Sequence, residues 1–177
     1  MNRRTFLGAG GVFIAGLSFG RGAAMADRAH IRLVQDAATG FAGFVPVGLR
    51  VEPGTLITWE NGSGVHTVTA YHPDNGGRPR RIPAGAEPWD SGYLITAGET
   101  FSRQFLVPGV YDYFCAPHER AGMAGRIVVV ADEPDLDAPT LNAVVCDTGR
   151  TGHGVPRAVC ARLPAVDRIM RLRRVRS

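Results

Sequence analysis

The sequence predicts an all-β domain, a Greek-key β-sandwich or barrel over about residues 27–131, and three observations predict it. Glycine (23) and proline (12) are frequent among the 177 residues, which favours many turns between short strands over a helical bundle. Short runs enriched in β-branched and aromatic residues, several alternating apolar and polar, recur through this region. Turn dipeptides, Pro53-Gly54, Asn61-Gly62 and Pro108-Gly109, fall between those runs, where hairpin or sandwich corners are needed. With 45% apolar and 20% charged residues, a chain of this size buries a core without needing a metal or disulfide merely to fold.

In chain order, Met1–Ala26 reads as an export signal. Arg3 and Arg4 precede Phe6-Leu7, a weakly apolar run extends from Leu7 to Phe19, and Ala24-Met25-Ala26 supplies a small-residue cleavage site. The apolar run falls short of the roughly 20 residues that span a bilayer. The paired arginines resemble a twin-arginine signal, so the mature chain is expected to begin at Asp27 in a periplasmic or otherwise extracytoplasmic space. A retained membrane anchor is the competing reading. Seven strands are then expected, over 30–35, 44–51, 55–60, 66–71, 100–107, 110–114 and 126–130. In the run Gly109 to Cys115, period two puts Tyr111, Tyr113 and Cys115 on one face and Asp112 and Phe114 on the other. Phe114 there reads either as a partner contact or as half-buried. The stretch 73–92, rich in Pro, Gly and Arg, has no periodicity and reads as a long surface excursion.

Residues 132–177 read as a C-terminal extension appended to the 27–131 domain. With Cys115 assigned below, Cys146 and Cys160 remain as a pair, and in an oxidising compartment they are expected to form a disulfide contributing about 3 kcal/mol. The last turns, Pro164 to Ser177, mix Val166, Ile169, Met170, Leu172 and Val175 with five arginines. They read either as a basic amphipathic helix touching an anionic membrane or as a solvated basic tail. All 20 basic residues are arginine and none is lysine. The charge is uneven: the body is acidic, whereas 150–177 carries eight arginines against Asp167. An acidic body whose aromatic residues lie in strands argues against nucleic-acid binding despite the pI near 9.4.

One segment carries distinctive chemistry. Cys115-Ala116-Pro117-His118 continues through Gly122-Met123, giving C-x2-H-x4-M in a turn-rich loop after a strand. A soft thiolate, an imidazole and a thioether within nine residues form the donor set that selects copper, short of one further imidazole. His66 is expected to supply it from the start of its own strand, since sandwich loops cluster at the ends, with His72 as the competitor. Two His, one Cys and a weak axial Met form the blue-copper arrangement for one-electron transfer, with one copper ion per chain. Pro117 stiffens the turn that brings His118 back, and Gly122 frees the backbone before Met123.

The run Tyr111 to His118 and Gly122-Met123-Ala124-Gly125, with Val51 to Asn61 and Val65 to Val68 upstream, resembles the plastocyanin-type cupredoxins, including pseudoazurins and halocyanins. The resemblance covers about residues 40–131. It implies an eight-stranded or similar Greek-key sandwich, a type 1 copper, electron shuttling between redox proteins as donor and acceptor, and an exposed ligand edge at His118. Plastocyanins usually place Pro before the first histidine and Asn after it, where this chain has Val65 and Thr67. The Thr67 amide is therefore expected to approach the Cys115 sulfur, with its hydroxyl tying the two ligand loops together. Pro117, lacking an N–H, removes a second candidate donor to that sulfur. A monomeric electron carrier, not an enzyme, is expected. No H-x-H pair exists and Ala116 follows Cys115, whereas copper oxidases and nitrite reductases need further metal sites. The alternative, an extracytoplasmic copper delivery or storage protein, predicts exposed Met or His clusters, and the chain has only four Met.

Overall fold

The computed structural model describes residues 27–130 and 154–176. Among the described residues, nine strands form two sheets. In chain order they are β1 (Arg28–Asp36), β2 (Phe41–Val45), β3 (Gly48–Val51), β4 (Leu56–Asn61), β5 (Thr69–Ala70), β6 (Thr100–Gln104), β7 (Gly109–Phe114), β8 (Ala124–Val129) and β9 (Arg174–Val175). One sheet runs β2-β1-β4-β6 and the other β5-β7-β8-β3-β9. The pairs β1/β4 and β3/β8 are parallel while the remainder are antiparallel. The expected all-β sandwich is present.

Between the sheets, alternate residues of facing strands bury their side chains, as period two dictates. Ile31, Leu33, Phe44, Ile57 and Trp59 come from one sheet and Leu49, Tyr111, Tyr113, Ile127 and Val129 from the other. Rings meet edge-on, with Trp59 and Tyr113 centroids 5.5 Å apart and Phe44 and Tyr113 4.7 Å apart. Such contacts add to the apolar burial that stabilises the sandwich.

Four expectations for the 27–131 domain are corrected. The strand expected over 44–51 is two strands in different sheets, because Pro46 has no N–H for a ladder and the chain crosses from β2 to β3 there. The strand expected over 66–71 is only β5, with His66 joined to Leu94 by an isolated bridge. The surface excursion at 73–92 is anchored: Ile82, Ala86 and Trp89 enter the core. Phe114 is 3% exposed, packed with Tyr71, Ala124, Val155 and Val159, so it is neither half-buried nor available to a partner.

The C-terminal extension explains that burial. Helices α1 (Arg157–Arg162) and α2 (Val166–Leu172) lie on the outer face of the second sheet, and β9 after them joins that sheet's edge beside β3. Val166, Ile169 and Val175 bury against Val47, Val110, Val128 and Val130. Most of the tail's apolar side thus faces protein, with Leu172 left exposed, so the helix does not offer a free apolar face to a membrane, nor is the tail merely solvated. Gly48 is required beneath it, since a Cβ there would stand 2.7 Å from the Pro164 ring and 2.8 Å from Ile169. Buried charge locks the same face. Asp112, fully buried, takes a bidentate pair from Arg126 (2.7 and 2.9 Å) and bonds from Arg81 (2.7 Å), while Arg126 Nη1 donates to the Pro164 carbonyl (2.9 Å). Cys160 is disulfide-bonded. The expected partner, Cys146, lies outside the described residues, as does the signal reading at 1–26.

Candidate metal centre

Two segments converge at one end of the sandwich. After β7, Cys115 is followed by a 3-10 helix, Ala116–Ala121, with Pro117 in its first turn, where a residue lacking N–H and fixed in φ costs nothing. The helix closes at Gly122, φ 90°, a left-handed cap suited to glycine. The loop holds itself through its backbone. The His118 amide donates to the Cys115 carbonyl (3.0 Å), the Met123 amide to the His118 carbonyl (3.1 Å) and the Cys115 amide to the Met123 carbonyl (3.1 Å). Every one of the three candidate ligands in the loop is therefore tied to the others.

The second segment follows β4. Asn61 Nδ2 donates to the carbonyls of Gly64, Leu94 and Thr96 at 3.0–3.3 Å, and the His66 backbone exchanges two hydrogen bonds with Leu94 (3.0 and 2.8 Å). His66 Nε2 lies 2.8 Å from the Ser63 carbonyl. A carbonyl only accepts, so Nε2 carries the proton and Nδ1 presents a lone pair. That lone pair is aimed at the thiol: Cys115 Sγ is 3.5 Å from His66 Nδ1 and 3.4 Å from His118 Nδ1.

One ligand atom from each of His66, Cys115 and His118 lies within 4.8 Å of the other two. A nitrogen and a sulfur sharing one first-row metal at bonds of about 2.0 and 2.3 Å and tetrahedral to trigonal angles lie about 3.5–3.7 Å apart, so both sulfur–nitrogen separations fit a shared ion. Cys115, His66 and Met123 are fully buried, and His118 is half-buried. Burial pushes the Cys115 thiol up to about 11, opposed chiefly by the Thr67 amide, and burial lowers the His66 pKa. The neutral imidazole is the form that binds metal.

The expected Thr67 contacts are present. Its amide donates to Cys115 Sγ at 3.4 Å, and its hydroxyl accepts from the Ala116 amide at 2.8 Å. Thr69 Oγ1 donates to Asp90 (3.0 Å), so the Thr67–Thr69 bond (2.8 Å) runs from Thr67 to Thr69. His72 is not part of the cluster; its Nδ1 accepts from the Asp74 amide (3.2 Å). His30 pairs with Glu60 (2.9 Å), and His153 lies outside the described residues.

A further group was not legible in the sequence. Glu119, beside His118, is 3% exposed and receives Arg78 Nε (3.2 Å), Arg78 Nη2 (2.6 Å) and the Tyr71 hydroxyl (2.9 Å). This pair fastens the ligand-bearing 3-10 helix to the 73–92 excursion. Burial, then the neighbouring Glu119 charge, holds the Tyr71 phenol un-ionised, so its O–H remains a donor.

Comparison with known proteins places this geometry. Residues 31–130 match the family described as copper binding proteins, plastocyanin/azurin family. A chloroplastic plastocyanin of Tetradesmus obliquus is 34% identical over 121 residues, covering 68% of this chain and 78% of that protein. That of Chlamydomonas reinhardtii is 36% identical over 119 residues, covering 67% and 77%. Among solved structures, a Sinorhizobium pseudoazurin superposes with a TM-score of 0.52 at 26% identity, covering 76% of this chain and 91% of that one.

Proposed function

Because the chain belongs to the plastocyanin/azurin family of copper-binding proteins, we propose that it is a type 1 copper electron carrier whose ion is held by His66, Cys115, His118 and Met123. The observation that carries this reading is the buried Cys115 sulfur standing between two histidine Nδ1 atoms at 3.5 and 3.4 Å. When bound, the copper supplies a one-electron Cu(II)/Cu(I) couple. The residues supply the rest. Ser63 fixes the His66 tautomer, Thr67 donates to the thiolate, and the backbone bonds of the Cys115–Met123 loop keep the donors in place without the metal. A site that need not rearrange suits rapid electron exchange. His118, the half-buried ligand, gives the route to the surface.

Electrons come from and pass to redox proteins, and the chain works as a monomer outside the cytoplasm. The export reading rests on Arg3-Arg4 before Phe6-Leu7 and on Ala24-Met25-Ala26. The Cys146–Cys160 disulfide belongs to the same reading of an oxidising compartment.

The test is purification with Cu(II), measuring copper per chain and the visible spectrum of wild type and Cys115→Ser. One copper per chain and an intense thiolate charge-transfer band, lost in the variant, are expected. A colourless wild type that still binds copper would overturn the assignment. Titration with a reductant and then an oxidant separates carrier from store, since a carrier cycles rapidly and reversibly without releasing its ion.

A further inference from the structure

The strand directions place a second feature at the opposite end of the sandwich. β7 and β4 run toward the metal centre, and β3 pairs parallel with β8, so the end of β3 and the start of β4 lie far from Cys115. There a cavity of about 190 Å³ opens between the start of β1, the end of β3 and the corner joining α2 to β9. Its lining includes four arginines from three segments, Arg28, Arg50, Arg173 and Arg174, and two acidic residues, Asp27 and Glu52. Among the described residues none of these six groups forms an ion pair. Four positive charges against two negative ones leave a net repulsion that a bound anion would relieve.

One observation points to a ligand there, and a second marks the cavity as unusual. Thr55 lines the cavity, is 3% exposed, and its hydroxyl has no hydrogen-bond partner. An unpaired buried hydroxyl is costly, and an oxyanion would accept its proton. The turn Glu52-Pro53-Gly54-Thr55, closed by the Thr55 amide on the Glu52 carbonyl (3.1 Å) with Gly54 at φ 92°, sets Thr55 there. The second observation is Arg173, at φ 58° and ψ −31°. All ten other described residues with positive φ are glycine. Arg173 is held by its amide on the Ile169 carbonyl and by the Arg50 amide on its own carbonyl, both 2.8 Å. Glycine would relieve that strain, and the residue at this position of the cavity lining is an arginine.

We infer that this cavity is an oxyanion site for a phosphoryl group, either inorganic phosphate or the phosphomonoester head of a lipid such as phosphatidic acid. Guanidinium forks match phosphate oxygens in pairs. Among the side chains, four arginines against Asp27 and Glu52 leave an excess of two positive charges, which suits a phosphate dianion. The site shares no residue with the metal centre, so it stands or falls separately. It also gives the C-terminal extension a role, since Arg173 and Arg174 complete the ring.

The experiment is calorimetric titration of the copper-loaded full chain with inorganic phosphate in low-salt buffer, for wild type, Arg50→Met, Thr55→Val and Arg173→Gly. Saturable one-to-one binding is expected, weakened about tenfold or more in each variant. Arg173→Gly is the discriminating case: it should lose phosphate affinity while its melting temperature holds or rises, which a purely structural arginine would not do. The visible spectrum of each variant verifies that the fold is intact. Sedimentation with phosphatidylcholine vesicles, with and without phosphatidic acid, distinguishes the sources. Binding only to the acidic vesicles, blocked by Arg50→Met, assigns the lipid head; phosphate binding without vesicle binding assigns the free ion. Absence of saturable phosphate binding, or binding unchanged by the three variants, overturns the proposal.

Discussion

The Thr67 hydroxyl accepts from the Ala116 amide and passes its own proton toward Thr69, so one small side chain joins the two ligand-bearing segments. Thr67→Ala is expected to cost about 1 kcal/mol in denaturant unfolding of the copper-loaded protein, with Thr67→Ser restoring most of it. If Thr67→Ser is as damaging as Thr67→Ala, the hydroxyl is not the joining group. Glu119 carries more. Removing its buried carboxylate strands the Tyr71 hydroxyl and Arg78, so Glu119→Ala should cost about 3 kcal/mol. It should also alter the electron paramagnetic resonance spectrum, because His118 is its neighbour on the 3-10 helix; an unchanged spectrum would count against the fastening role. These two residues differ in legibility. Thr67 was readable because it adjoins a candidate ligand and its amide faces a sulfur. Glu119 was not, since Arg78 and Tyr71 lie more than 40 residues away and nothing local marks them as partners.

Among the elements, the loop from Cys115 to Met123 was legible because its chemistry and its turn residues are adjacent in sequence. What local pattern could not reveal is the pressure on Gly122 from outside the loop. A Cβ there would stand 2.9 Å from the Ala158 carbonyl of α1 and 3.0 Å from the Arg162 side chain, at a φ of 90°. Gly122→Ala is therefore expected to destabilise the protein by about 1–3 kcal/mol. Because Met123 follows directly, it should also shift the visible spectrum. Truncating Arg162 alone would not rescue it, since the closer atom is backbone. The break of one expected strand into β2 and β3 has the same origin in long-range structure. Val45-Pro46-Val47 is apolar enough to read as continuous strand, and only the switch of sheets at Pro46 divides it. Likewise, Ile82 and Trp89 sit in an aperiodic stretch because they are single anchors under a loop, with no repeat for periodicity to detect.

For the molecule as a whole, the two-sheet core was legible but the burial of its outer face was not. The six residues of β8 are all buried, one face against the core and the other against the tail, so the strand gives no polar alternation to show which side is covered. The tail in turn looked amphipathic because it is: its apolar side meets Val47, Val110, Val128 and Val130, and its arginines face solvent. An appendage and an integral layer make different predictions for unfolding. Ile169 is fully buried in that seam, so Ile169→Ala should cost about 2–5 kcal/mol. At about 2–4 °C per kcal/mol for a chain of this size, the melting temperature read from the copper absorption band should fall by several degrees. The band and the near-ultraviolet circular dichroism should be lost together in one transition, because the Arg126 bridge from Asp112 to the Pro164 carbonyl ties sheet and tail into one unit. Were the band to melt at the wild-type temperature while only the helical signal fell earlier, the tail would be a separate appendage. The arginine-lined cavity would then lose the rigid wall that Arg173 and Arg174 give it.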